Sequence, residues 1–380
     1  MEPGRGPKIP AAPGRITGMT ASFIPGRQLA REFYTEAVRP VLAEAYPSLP
    51  YSAALLGSGS EVLGFHSQRS TDHNWGPRLQ VFLSAGDAGR RTGELTAIFA
   101  KRLPRSFRGY PTMFPVADQE GEARHWVEVA DLGSWLTGQL GFDPRQPVTL
   151  LDWLATPTQR LAGVTAGEVF HDGLGELNQA RSRLGWYPQD LWRYVLACQW
   201  QRIAQEEAFP GRCSEAGDEL GSAIVTARLA RDLMRLCLLM RRRYPPYSKW
   251  LGTAFARLPG AAGVLADLTQ AVSATDWGNR EQHLCHAYET AAALHNQLRL
   301  TKHVDPRVRP FHSRPYRVLD AGRFSAALLA AITEPQIREL PPVGAIDQFV
   351  DSTDALGYLP LLRATAGAVI QPAALRLPTQ

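Results

Sequence analysis

The sequence predicts an α/β (α+β) core followed by a mainly α-helical region, and two observations carry that division. In roughly the first 147 residues, apolar or β-rich runs of strand length, at 79–83 and 125–129, alternate with segments of helical period. From Leu150 onward the helical period takes over, and the alternation of half-buried strands is absent. Composition agrees with packed cores: 380 residues are enough for two domains, 44% are hydrophobic and only 20% are charged.

Taken in order, residues 1–22 are rich in Gly, Pro and basic residues and read as a disordered leader. The core is placed at 23–147. Its first helix is expected over 28–45, where Leu29, Phe33, Ala37, Val41 and Leu42 recur at helical spacing, ending before Tyr46-Pro47. A Gly-Ser turn and a strand at 79–83 follow, then a turn at 84–86, a helix over 93–103 and a proline-rich loop at 104–115. The run at 125–129 puts Glu128 on the face opposite Val127 and Val129, in what reads as a central strand. A carboxylate there needs a reason, because an unpaired buried charge costs several kcal/mol by rough estimate. A salt bridge or an edge position would be one, a metal ligand another.

The helical substrate domain is placed at 148–302, with helices expected at 150–155, 157–162, 188–207, 215–244, 247–258 and 282–300. A C-terminal extension, 303–380, is expected to pack on it. Its helices are placed at 321–332 and 346–356, the second with Asp347, Asp351 and Asp354 on one polar face.

The net charge of +5 suits an anionic ligand, but the basic residues are scattered, which argues against a nucleic-acid stripe. Only four of the 41 basic residues are lysine, so arginine content carries little meaning in this chain. The four cysteines form no Cys-x-x-Cys pair, which fits a reducing cytoplasm. No apolar run approaches the roughly 20 residues a bilayer requires. There is no Gly-x-x-x-x-Gly-Lys loop, His-Glu-x-x-His or Gly-x-Ser-x-Gly, which sets aside P-loop ATPases, simple zinc proteases and common serine hydrolases.

The chemistry concentrates at 55–83. Small residues at 57–60 let a backbone approach phosphates, and a serine adds a hydroxyl donor. Asp72 and Asn74 stand at alternate positions ahead of the run at 79–83, the spacing that puts two ligands on one face of a strand. Mg2+ takes oxygen ligands, commonly one or two carboxylates with phosphate oxygens and water. The layout is a phosphate cradle leading into a metal-holding strand.

Gly59-Ser60, eleven residues, Asp72-x-Asn74 and the later Glu128 resemble the signature of the DNA polymerase β-type nucleotidyltransferase superfamily. More closely, segments 59–65, 70–78, 218–222, 247–250 and 347–354 resemble an uncharacterised bacterial branch of it, known as a domain of unknown function. The resemblance implies a nucleotidyltransferase-fold core with a mixed sheet and a helical domain that closes over the nucleotide. It implies that Gly59 and Ser60 hold the triphosphate, that Asp72, Asn74 and Glu128 bind Mg2+, and that Glu128 orients or deprotonates an attacking hydroxyl. The substrates implied are a nucleoside triphosphate, ATP foremost, and a small-molecule hydroxyl acceptor. Asn74 departs from the pattern, which has an acid there. An amide ligates Mg2+ without charge, leaving three readings open: a weakened enzyme, a nucleotide-binding relative without catalysis, and an introduced substitution. Transfer to a protein hydroxyl or to the chain itself is a further alternative.

Lys249 follows two prolines at a helix start and offers a point charge for the β- and γ-phosphates. Arg228, Arg231 and Arg235 recur at helical spacing, as a triphosphate-facing row or an exposed face. Glu207 and Asp218 read as caps and solvated helix ends, or as groups facing the acceptor. His283 and His286 form an i, i+3 pair beside Cys285 and Glu289, and without a second matched pair they read as ordinary helix residues.

Overall fold

The computed structural model describes residues 23–72, 75–115 and 123–370. Asn74 and the expected leader at 1–22 lie outside the described residues, as do the side chains of Thr71, Asp72 and Pro115. The chain divides into two compact units, Met1–Gln146 with Gly163–Arg183, and Pro147–Ala162 with Leu184–Gln380.

The first unit opens with helix α1 (Gly26–Phe33), which runs through a π turn (Tyr34–Val38) into α2 (Arg39–Ala45). Pro40 has no N–H to close an ordinary helical bond, and the wide turn lies just ahead of it. Strand β1 (Ser52–Leu55), the short helix α3 (Ser60–Leu63), a 3-10 turn (Gln68–Asp72) and β2 (Leu79–Leu83) follow. Asp72 therefore ends a turn, and the expectation that it sits on the strand is corrected: β2 begins only at Leu79, after Gly76 and Pro77. Ser84 likewise opens a helix instead of a turn. Its Oγ accepts the Asp87 N–H at 3.2 Å, and α4 runs Ala85–Arg102.

The expected loop at 104–115 holds an antiparallel ladder, β3 (Ser106–Phe107) with β4 (Tyr110–Pro111), and β5 (Met113–Pro115), which pairs antiparallel with the later β6 (Ala123–His125). Strand β7 (Val127–Asp131) leads into α5 (Leu132–Leu140), where the Asp131 carboxylate accepts the Ser134 N–H at 2.7 Å. The chain continues through α6 (Leu150–Ala155) and α7 (Thr158–Thr165), then returns to the first unit with β8 (Glu168–Asp172) and α8 (Leu177–Arg183). Strand β8 corrects the expectation that no strand follows Leu150.

These strands form one mixed sheet in the order β7-β2-β1-β8. Strand β2 is antiparallel to β1 and parallel to β7, and β8 is antiparallel to β1. On one face Leu79, Val81, Leu83, Val127 and Val129 pack with Phe33, Val38, Leu42, Leu95 and Phe99. Strand β7 is an edge, not central as expected, and its burial alternates with Val127 and Val129 inside and Glu128 exposed.

The second unit is helical: α9 (Gln189–Glu206), α10 (Phe209–Glu215), α11 (Glu219–Met240), α12 (Ser248–Ala256), α13 (Ala262–Ser273) and α14 (Trp277–Gln297). A small ladder, β9 (Arg309–Pro310) with β10 (Arg317–Val318), precedes α15 (Gly322–Ala330) and further helices, the last being Leu359–Ile370. Sequence period misses α10, α13 and the helix Leu359–Ile370. In the core Trp200 stacks on Phe324, with ring centroids 4.7 Å apart, and its Nε1 donates to His295 Nδ1 at 3.1 Å. The expected aspartate row is broken up. Asp347 is buried and accepts the Thr158 N–H at 3.0 Å, while Asp351 is exposed beside Arg231. Among the described residues no helix is long and apolar enough to cross a membrane.

Candidate functional site

Register places the ends of three strands together. Ala54 of β1 lies opposite Gln80 of β2, and Gln80 lies beside Glu128 of β7. Side chains alternate across a strand, so with Leu79, Val81, Val127 and Val129 in the core, Gln80 and Glu128 share the other face. The buried Gln80 Oε1 accepts the Leu56 N–H at 3.0 Å, fixing the backbone where β1 gives way to the 57–60 loop. Trp135 of α5 covers the same face, its ring meeting Phe82 edge-on at 5.1 Å, and its Nε1 donates to Glu128 Oε2 at 3.2 Å.

The loop itself is strongly shaped. Gly57 donates to the Gly163 carbonyl at 2.9 Å, and a Cβ on Gly57 would stand 3.4 Å from the Trp135 ring. The indole therefore sits between the loop and Glu128. Gly59 has φ +132°, a backbone region that side chains rarely enter, and a Cβ there would fall 2.3 Å from Arg78 Nη2 and 2.6 Å from Glu61 Oε1. Those two groups form an ion pair just under the loop. Arg78 Nε donates to Glu61 Oε1 at 2.6 Å, and Arg78 Nη2 reaches the Ser58 carbonyl. Their side chains are only 15% and 4% exposed. Arg27 closes the far side of α3 by donating to the Glu61 carbonyl at 3.1 Å and to the Val62 carbonyl.

The consequence is a loop backbone tied down by Gly163, Arg78 and the Glu61–Arg78 pair beneath it. Among the described residues the N–H groups of Ser58, Gly59 and Ser60 have no acceptor, and Ser58 is exposed. Successive free amides of this kind favour an anion. Glu128, on the same end of the sheet, is exposed and has no cationic partner among the described residues.

Of the residues singled out from sequence, the structure thus brings Gly59, Ser60 and Glu128 into one region of the first unit. Only the backbone of Asp72 is described there. Lys249 and Arg228 belong to the second unit. Lys249 is exposed on α12 with its ammonium 5.2 Å from the Trp250 ring centroid. Arg228 already grips Glu206 through two bonds, Nε at 2.9 Å and Nη2 at 2.5 Å. Arg231 and Arg235 pair with Asp351 and Asp347. Asp218 is a helix cap, accepting the Gly221 N–H at 2.7 Å. Glu207 is buried and accepts the N–H groups of Leu319, Asp320 and Ala321 at 2.8, 3.1 and 2.8 Å. Both therefore serve the backbone.

Sequence reasoning passed over Glu61, Arg78, Gln80 and Trp135. A glutamate directly after Gly-Ser and an arginine directly before an apolar strand are a legible signal for a charge pair. The roles of Gln80 and Trp135 depend on strand register and on where α5 returns, and no local pattern carries them.

A domain of unknown function (DUF4037) matches residues 153–251. That span contains Arg228 and Lys249, and lies outside the 57–60 loop and Glu128. No curated protein matches the chain, and no solved structure does.

Proposed function

We propose that this chain is a nucleotidyltransferase that moves a nucleoside monophosphate from a nucleoside triphosphate, ATP foremost, to a hydroxyl of a small molecule with Mg2+. The observation that carries the reading is the row of three acceptor-free amides at Ser58, Gly59 and Ser60, set at the same end of the sheet as the solvent-facing Glu128. Amides so arranged bind phosphate oxygens without any side-chain charge.

An exposed carboxylate held by one indole N–H is a hard oxygen donor, and it fits an ion that prefers oxygen ligands. Asp72 and Asn74 would share that ion with Glu128. Bound there, Mg2+ would neutralise charge on the phosphate oxygens of the triphosphate. The chain's own part is to hold the phosphates on the loop and to orient or deprotonate the acceptor hydroxyl through Glu128. The hydroxyl oxygen then bonds to the α-phosphorus as the bond to the β-phosphate bridge breaks, and pyrophosphate leaves.

A second reading is favoured by one residue. Asn74 brings an amide where the resemblance calls for an acid, which lowers affinity for a second cation and suits a nucleotide-binding module without turnover. One experiment separates the two. The protein and its Asn74→Asp variant are incubated with Mg2+, labelled triphosphates and a panel of hydroxyl-bearing small molecules. Mg2+-dependent pyrophosphate release by either supports transfer. Thermal stabilisation by nucleotide with no release from either protein favours the binding module, and absence of both effects overturns the site.

A further inference from the structure

The hairpin of α13 and α14 carries a second constellation, unrelated to the phosphate loop. The two helices are joined by only three residues, 274–276, so positions equally far from the turn come side by side. Asp267 stands six residues before the end of α13 at Ser273, and His283 stands six after the start of α14 at Trp277. His286 lies one helical turn further on.

The three side chains converge. His283 Nδ1 is 3.0 Å and His286 Nδ1 is 3.6 Å from the same oxygen, Asp267 Oδ1. One ligand atom from each residue lies within 4.8 Å of the others. A tetrahedral centre with bonds of about 2.0–2.1 Å to nitrogen and oxygen has ligand–ligand edges of roughly 3.3–3.4 Å. Those two separations bracket that value, and the third edge, between the imidazoles, is within 4.8 Å. The two imidazole planes are 88° apart, which is compatible with both rings turning a nitrogen towards Asp267. Asp267 and His283 are half-buried, at 23% and 27% exposure, whereas His286 is 54% exposed and leaves the site open to solvent.

We propose that Asp267, His283 and His286 form a binding site for a Zn2+-class divalent cation, with water as the fourth ligand. Two imidazoles and one carboxylate are a borderline donor set, suited to Zn2+ and Co2+ and poorly suited to Mg2+, which takes oxygen. The cation would tie α13 to α14 within the second unit. The i, i+3 histidine pair was visible in the sequence. The third ligand was not, because it lies on the other arm of the hairpin.

The test uses the full chain, stripped with a chelator and desalted, and titrated with Zn2+ alone in excess Mg2+ by calorimetry. Co2+ is added in parallel to read the intense visible absorption of a four-coordinate ion. The expected result is one tight Zn2+ equivalent with the four-coordinate Co2+ spectrum. Loss of an outer-sphere partner weakens metal sites by about 10–100-fold, and loss of a direct ligand should cost at least the lower figure. His286→Ala and Asp267→Asn should therefore each weaken binding at least tenfold, while His303→Ala, an exposed histidine elsewhere, should not. His286 is exposed enough that its removal leaves the fold intact. Failure of the parent to bind one equivalent, or equal affinity in His286→Ala and the parent, would overturn the site.

Discussion

Uncoupling the Glu61–Arg78 pair should loosen the 57–60 loop, and the size of the effect follows from burial. The two side chains are 4% and 15% exposed, and Arg78 also holds the Ser58 carbonyl. Removing one partner of a buried pair typically costs about 3–5 kcal/mol, because the other charge is stranded. Arg78 keeps some contact with water, so Glu61→Leu should cost about 3 kcal/mol, a shift of about a hundredfold in local opening. Arg78→Leu should cost about as much. The double variant strands no charge and should cost less than the sum of the two by about 2 kcal/mol or more. Because the chain has two units, one global unfolding energy is the wrong observable. Hydrogen exchange of the β1–α3 and β2 peptides across the four proteins reads the local opening directly. A coupling below about 0.5 kcal/mol would mean the pair behaves as an exposed surface pair, and the account of how the loop is held would be wrong.

Gly59→Ala should disturb the same region by two routes, the φ of +132° and the 2.3 Å approach to Arg78 Nη2, and should cost about 1–3 kcal/mol read by the same exchange experiment. Glu128→Gln should leave stability within about 0.5 kcal/mol, since the side chain is exposed, while abolishing any Mg2+-dependent pyrophosphate release. In the second unit, burial pushes His295 down from the ordinary 6.5 to about 4. The unfolded chain therefore takes up this proton first as pH falls. Stability from this group is complete above about 6.5 and is lost progressively as pH falls towards about 4, amounting to about 2 kcal/mol between pH 8 and pH 5. Denaturant midpoints for the parent and His295→Gln should differ in pH slope by that amount, and identical slopes would contradict it.

Legibility in the sequence followed how local each determinant is. Strand β2 is apolar at every position but Gln80, and its limits could be read directly because an interior strand is buried on both faces. Strand β8, Glu-Val-Phe-His-Asp, lies at an edge with half-buried side chains and carries no such run. The start of α4 was lost because Ser84-Ala85-Gly86 is turn-like in composition, and only the Ser84–Asp87 cap reveals a helix. At the site, Gly59, Ser60 and Glu128 were readable as residue types. What draws them together, the Gln80–Leu56 bond and Trp135 on the shared face, arises from register and from α5, both non-local. Glu128 was expected to need a partner because its strand was placed centrally, whereas an edge strand lets the carboxylate stay in water.

The most direct test of the nucleotide site is exchange at the three acceptor-free amides of Ser58, Gly59 and Ser60. With ATP and Mg2+ at millimolar concentration, the peptide covering residues 56–63 should gain protection in the parent and more in Asn74→Asp, and should lose that gain in Glu128→Gln. No change in that peptide for the parent or Asn74→Asp would contradict phosphate binding on the loop.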